Sequence, residues 1–191
     1  MNERFLQTIR SSAEVLFLCE QIADEVARLS ELLIERLRNG GTVFTFGNGG
    51  SAAEAVHFTG ELVGRFRRER RSLPAVALVS DLSTLTAIGN DYGYEQIFAR
   101  QVEALVKAGD LVIGLSTSGT SVNVLEGLQA AKRRGATTVL LTSQRCSAAV
   151  LGADLLLRVP TDETARAQEA HLVILHYLCE EVDRAFGPSP H

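Results

Sequence analysis

The chain has little that would staple it or anchor it. Of its 191 residues only three are cysteine, Cys19, Cys146 and Cys179, an odd count without CxxC spacing. Neither a disulfide framework nor a thiolate zinc site is therefore expected. No run approaches the length of a membrane span, and the opening Met1-Asn2-Glu3-Arg4 has no apolar signal stretch, so a cytoplasmic protein is expected. Positive charge is not in excess: 19 Lys and Arg against 23 Asp and Glu give a net charge of -4. A net anion is repelled by a phosphate backbone and by anionic lipid, so neither nucleic acid nor membrane is an expected partner. A GxxxxGK[ST] stretch is missing, which argues against a nucleotide triphosphatase. What is present is a globular composition, 46% hydrophobic and 22% charged, in a length that can bury a core.

Residues 2–39 carry Phe5, Ile9, Leu16, Ile22, Val26, Leu29, Leu33 and Leu37 at three-to-four-residue spacing, without proline, up to Asn39-Gly40-Gly41. That pattern predicts a long amphipathic helix closed by a glycine stop. Such an arm packs on its own domain or pairs with another copy. Beyond it, short apolar runs alternate with helical patterns. Strands are expected over 42–46, 75–79, 111–115, 138–142 and 155–159. Helices are expected over 51–66, 82–88, 94–106, 121–134 and 164–186. Alternation of this kind predicts an α/β fold: a three-layer αβα sandwich around a five-stranded parallel sheet, with an N-terminal helical arm. The expected organisation is an arm over 1–40 serving as an oligomer contact, a sheet domain over 41–187 and a frayed tail over 188–191.

Two segments share one build. Val43–Phe46 runs into Gly47-Asn48-Gly49-Gly50-Ser51 and then a helix; Leu111–Leu115 runs into Ser116-Thr117-Ser118-Gly119-Thr120-Ser121 and then a helix. Glycines let backbone N–H groups approach an anion, helix N-termini add unpaired N–H groups, and hydroxyls add uncharged donors. Both loops follow strands at their carboxyl ends, where open α/β sheets bind ligands. Neither holds a GxGxxG, so a dinucleotide site is not favoured. The alternative is that each loop is only a capped strand-to-helix turn.

Farther along, His57 and Glu61 are four apart on one predicted helix and share a face. Gln168 and His176, eight apart on the last helix, lie about 80° apart around its axis and can face one cleft. His, Glu, Gln and His form a possible set for a borderline metal such as zinc, although glutamine is a poor ligand. Read singly, His57 and His176 are equally well explained as histidines of an amphipathic helix or a core.

Taken together, Gly47-Asn48-Gly49-Gly50-Ser51-Ala52-Ala53 and Ser116-Thr117-Ser118-Gly119 resemble the sugar isomerase (SIS) domain. The resemblance extends to the phosphoheptose isomerases through His57-Phe58-Thr59-Gly60-Glu61-Leu62, Gly64-Arg65, Gly89-Asn90-Asp91, Gln168-Glu169-Ala170-His171 and His176, covering roughly residues 40–185. It implies a sugar-phosphate substrate, with sedoheptulose 7-phosphate and D-glycero-D-manno-heptose 7-phosphate interconverted through an enediol in heptose biosynthesis for bacterial surface polysaccharide. By the same resemblance Glu61 and His176 are the acid and base. Asn48, Gly49, Gly50, Ser51, Arg65, Asn90, Asp91, Ser116, Thr117, Ser118, Ser121 and Gln168, with Glu61, line the substrate. One zinc ion sits among His57, Glu61, Gln168 and His176, and a homotetramer is implied.

Departures accompany the match. Thr142-Ser143-Gln144-Arg145-Cys146-Ser147 replaces a glycine-bearing stretch, and Thr120 stands where asparagine is usual. Arg65, Arg67, Arg68, Arg70 and Arg71 form a basic run expected to be a solvated face, Arg65 excepted. Two other functions share these motifs: a non-catalytic relative that binds the bacterial replication initiator as a tetramer, and a sugar-phosphate sensor. Retention of His57, Glu61, Gln168 and His176 favours the enzyme, because a buried polar set is costly unless paired.

Overall fold

A computed structural model describes residues 2–146 and 152–188. The elements run α1 (Glu3–Leu18), a 3₁₀ turn (Cys19–Ile22), α2 (Ala23–Arg38), β1 (Val43–Gly47), α3 (Gly50–Val63), β2 (Ala75–Ala77) and α4 (Leu82–Tyr92). A second 3₁₀ turn (Tyr94–Gln96) then leads to α5 (Ala99–Leu105), β3 (Leu111–Leu115), α6 (Val122–Arg133), β4 (Thr137–Ser143), β5 (Leu155–Val159) and α7 (Thr164–Phe186). Ser147 and residues 189–191, on which sequence expectations fell, lie outside the described residues.

All strand pairs among the described residues are parallel, in the order β2-β1-β3-β4-β5. Strand side chains alternate between the faces. Val43, Leu111, Ile113, Leu115, Val139 and Leu141 meet the apolar sides of α2, α3 and α7. Phe44, Phe46, Val112 and Leu140 meet Phe98 and Val102 of the α5 region and Val124 and Leu128 of α6. Both faces are thus covered, as parallel sheets require.

The long N-terminal helix is in fact two. The 3₁₀ turn at Cys19–Ile22 divides it; α2 buries Leu29, Leu33 and Leu37, and both α1 and α2 pack against α7. Apolar periodicity does not register such a break, because a 3₁₀ turn also repeats near every third residue. Along α1 only Val15 is buried; Phe5, Ile9 and Phe17 stay exposed, Phe17 by 72%.

The chain steps from β1 outward to β2 and returns to β3 on the other side of β1. Strand order therefore reverses between β1 and β3, whose last residues, Gly47 and Leu115, are register partners. A crevice opens at such a point because the two outgoing connections turn to opposite faces of the sheet.

Candidate functional site

The two polar loops occupy that crevice. The first leaves β1 at Gly47 and enters α3 through Gly49, whose φ of 57° and ψ of -120° suit a residue without Cβ. The second leaves β3 and enters α6 through Ser121, whose side chain makes no cap bond to its own helix. Instead the Ser116 hydroxyl donates to Ser121 Oγ at 3.0 Å. Ser118 Oγ accepts from the Thr120 N–H at 3.2 Å and from its hydroxyl at 3.1 Å. The Ser143 hydroxyl donates to the Thr117 carbonyl at 2.6 Å and holds the serine loop from the β4 side. Thus the last residue of β4, within the stretch where the sequence departs from the family, supports the loop.

Between the loops lies a cavity of about 290 Å³ lined by Asn48, Gly49, Gly50, Ser51, Leu115, Ser116, Thr117, Ser118, Ser121, Thr164 and Gln168. Eight substrate residues expected from sequence, together with Gln168, are therefore brought to one place; Thr164 was not foreseen. The lining has no charged side chain. An anion there would meet hydroxyls, the Gln168 amide and the N-termini of α3 and α6. Gln168 lies so close over Gly50 that a Cβ at Gly50 would collide with its amide.

Asn48 is held by partners the sequence did not disclose. Its Nδ2 donates to Asn123 Oδ1 at 2.9 Å, and its Oδ1 accepts from Asn123 Nδ2 at 2.8 Å and from the Tyr94 hydroxyl at 3.0 Å. This amide pair ties the first loop to the helix behind the second. Nothing in one sequence distinguishes Asn123 from an ordinary residue of the first helical turn.

A second group stands farther along α3 and α7. His57 Nε2 and His176 Nε2 face each other at 2.9 Å, so one ring carries the shared proton. Glu61 Oε1 lies 3.7 Å from His57 Nε2. Phe66 stacks on the His176 ring, with centroids 5.4 Å apart and planes at 21°. Glu61 and both histidines are thus gathered on one side of the α3–α7 seam. His57 is seven residues beyond Gly50, about 10 Å along the helix, so the histidine pair and the Gln168 amide occupy different ends of the cleft.

The donors of the histidine group suit zinc by type, being two imidazoles and a carboxylate. Two nitrogens facing at 2.9 Å share one hydrogen, which the neutral Nε2–H tautomer of either ring can supply. As arranged, however, no group of three His, Cys, Asp or Glu side chains forms a metal cage among the described residues. Gln168 stands with the hydroxyl loops rather than with the histidines.

Other expected residues lie elsewhere. Asp91, in the last turn of α4, accepts from Asn90 Nδ2 at 2.8 Å and lines a separate cavity of about 570 Å³ with Asp81, Tyr92 and Arg100. Arg65 is exposed and pairs with Glu69 at 2.9 Å. The basic run is not uniformly solvated: the Arg70 side chain is 0% exposed and pairs with Asp183 at 3.0 Å. Burial raises the Asp183 carboxyl, but hydrogen bonds from the Arg68 and Arg67 N–H groups and the Arg70 guanidinium outweigh it and hold the group below the usual range. Within a charge run, sequence offers no sign of which arginine turns inward.

Beneath the first loop, Glu54 and His171 are both buried. His171 Nε2 donates to the Thr142 carbonyl at 3.1 Å, and its Nδ1 faces Glu54 Oε2 at 4.0 Å. Burial pushes Glu54 up to about 7, against the pull of the Ser51 hydroxyl. Burial pushes His171 down to about 4, against the pull of the Thr142 carbonyl. Both groups are thereby driven toward their neutral forms.

Comparison with known proteins bears on these observations. A family model described as SIS domain matches residues 4–143. The phosphoheptose isomerase of Geobacter metallireducens is 46% identical over 185 residues, 96% of this chain and 98% of the relative. The structure of a phosphoheptose isomerase from Neisseria gonorrhoeae superposes with a TM-score of 0.87 at 40% identity, covering 95% of this chain and 97% of that one. That of Francisella tularensis gives 0.90 at 35% identity, with the same coverage.

Proposed function

This chain belongs to the phosphoheptose isomerases of the SIS-domain family, and we propose that it interconverts sedoheptulose 7-phosphate and D-glycero-D-manno-heptose 7-phosphate. The observation that carries this reading is the division of one cleft into two ends. A neutral, donor-rich cavity stands at the strand-order reversal. A carboxylate and two imidazoles lie farther along the same two helices. The spacing between the ends is comparable to the reach of an extended seven-carbon chain.

The phosphate enters the hydroxyl cavity, where Ser51, Ser116, Thr117, Ser118 and Ser121 donate to it and the α3 and α6 dipoles favour its charge. Asn48, held by Asn123 and Tyr94, keeps the first loop in register with the second. C1 and C2 then lie near the histidine group. Glu61 takes the proton from one of these carbons, giving the enediol, and returns it to the other. His176 moves the proton between the two oxygens, and its bond to His57 sets which ring nitrogen bears hydrogen. His57, Glu61 and His176 are also the residues that would hold zinc; Gln168, the fourth ligand by resemblance, lies at the hydroxyl end of the cleft as arranged. Bound there, the metal would supply Lewis-acid polarisation of the sugar carbonyl. Asn90, Asp91 and Arg65 remain proposed sugar contacts; Asp91 lines the separate cavity beside α4, and Arg65 lies four residues beyond Glu61.

A homotetramer in the cytoplasm is part of the same reading. Its support is the exposed apolar row of α1, Phe5, Ile9 and Phe17, and the lack, among the described residues, of a helix able to cross a membrane. The deciding experiment incubates purified protein with sedoheptulose 7-phosphate, with and without zinc, and follows the aldose by NMR. Aldose formation is expected. Its absence under both conditions would sink the isomerase and move the test to initiator binding.

A further inference from the structure

The loop joining α3 to β2 is fastened to α7 by one buried cation. Arg70 Nη2 donates to the Glu61 carbonyl at 2.6 Å. Its Nη1 donates to the carbonyls of Leu62 at 2.9 Å, Arg71 at 3.1 Å and Gly64 at 3.3 Å. Those of Glu61, Leu62 and Gly64 belong to the C-terminal end of α3, where a helix leaves acceptors without partners. The Arg70 Nε–H donates to Asp183 Oδ1 at 3.0 Å, while Asp183 Oδ2 accepts from the N–H groups of Arg67 at 2.6 Å and Arg68 at 2.8 Å. Asp183 follows His176 by seven residues on α7, which returns it to nearly the same helical face. Phe66, stacked on His176, sits at the start of the fastened loop.

Resting on the isomerase reading, we propose that Arg70 and Asp183 are positioning residues: they lock α3 against α7, set Glu61 opposite His176, and hold the Phe66 ring over the His176 imidazole. Five donors in a planar fork suit this work. A lysine ammonium in the same place cannot serve three helix-end carbonyls and the carboxylate together. The hydroxyl cavity, at the other end of both helices, does not depend on the fastening.

The test compares Arg70→Lys, Asp183→Asn and Phe66→Leu with the wild type and with Arg68→Ala, whose side chain is exposed. Three quantities are read: kcat and KM for sedoheptulose 7-phosphate, affinity for inorganic phosphate by calorimetry, and the His176 ring-proton resonances by NMR. In Arg70→Lys and Asp183→Asn, kcat is expected to fall at least tenfold, while KM and phosphate affinity stay within about twofold of wild type. The His176 resonances, displaced by the Phe66 ring current, should move toward ordinary values in all three variants. Arg68→Ala should match the wild type in every reading.

Phe66→Leu keeps the ion pair and decides the matter if the other two do not fold: kcat within twofold of wild type in that variant overturns the proposal. So does a folded Arg70→Lys with unchanged kcat, or one whose kcat and phosphate affinity fall in parallel. An inactive wild type would sink the isomerase reading instead, and the NMR resonances would then judge the positioning alone.

Discussion

Glu61 and Asn123 separate two kinds of work within one cleft. Glu61→Gln keeps the shape and removes the proposed base, so turnover should fall by about 10²–10⁴-fold while calorimetry finds inorganic phosphate bound as before. Near-normal turnover in that variant would refute the assignment. Asn123→Ala leaves the Asn48 amide without its reciprocal partner. The half-buried Asn48 keeps only the Tyr94 hydroxyl, and losing two hydrogen bonds at roughly 0.5–1.5 kcal/mol each should be read as a lower Tm together with weaker phosphate binding. Unaltered values of both would show the amide bridge to be incidental. The buried pair Glu54 and His171 gives a pH signature. Glu54, raised to about 7, adds stability that is full below its ordinary 4.5 and is lost as pH rises through 7. His171, lowered to about 4, adds stability that is full above its ordinary 6.5 and is lost as pH falls through 4. The two slopes oppose each other between 4.5 and 6.5, so the wild-type Tm should be nearly flat there. In Glu54→Gln the histidine slope stands alone, and Tm should climb with pH across that window. A flat profile in the variant would count against the pairing.

Among elements, the strands were the most legible. Leu111–Leu115 and Leu155–Val159 have the expected bounds, and so does the last helix, Thr164–Phe186, because each is a short buried run or a long periodic one with punctuated ends. The two helical arms were read as one, since a 3₁₀ turn keeps the apolar spacing. The helix expected over 94–106 is a 3₁₀ turn and a shorter α5, divided at Ile97-Phe98. Both hydroxyl loops were legible because glycine, serine and threonine have few other uses between a strand and a helix. The supports were not: Asn123 and Tyr94, which hold the first loop, act through a partner 75 and 46 positions away in sequence, and Arg70, at the other end of α3, through one 113 positions away. Gly49 carries a prediction at this scale. With φ at 57° and ψ at -120°, alanine there should cost about 1–3 kcal/mol in backbone strain and lower phosphate affinity. Equal affinity and Tm in Gly49→Ala would show that the loop can relax.

Over the whole molecule, the core explains why α1 is present without being buried. Its exposed Phe5, Ile9 and Phe17 lie apart from the clusters that stabilise the sheet. Phe17→Asp should therefore leave the Tm within a few degrees while reducing the assembly mass measured by light scattering. An unchanged mass would place the subunit contact elsewhere. The cavity at the β1–β3 reversal has a broader consequence. In the proposed binding mode it grips through neutral groups the part of the sugar that ketose and aldose have in common, so its contribution to binding is the same for both. Such uniform binding speeds neither direction by itself, and no binding strength could move the equilibrium between the free sugars. The catalyst then brings the two heptose phosphates quickly to their own equilibrium, and net flux follows whichever later step withdraws one of them.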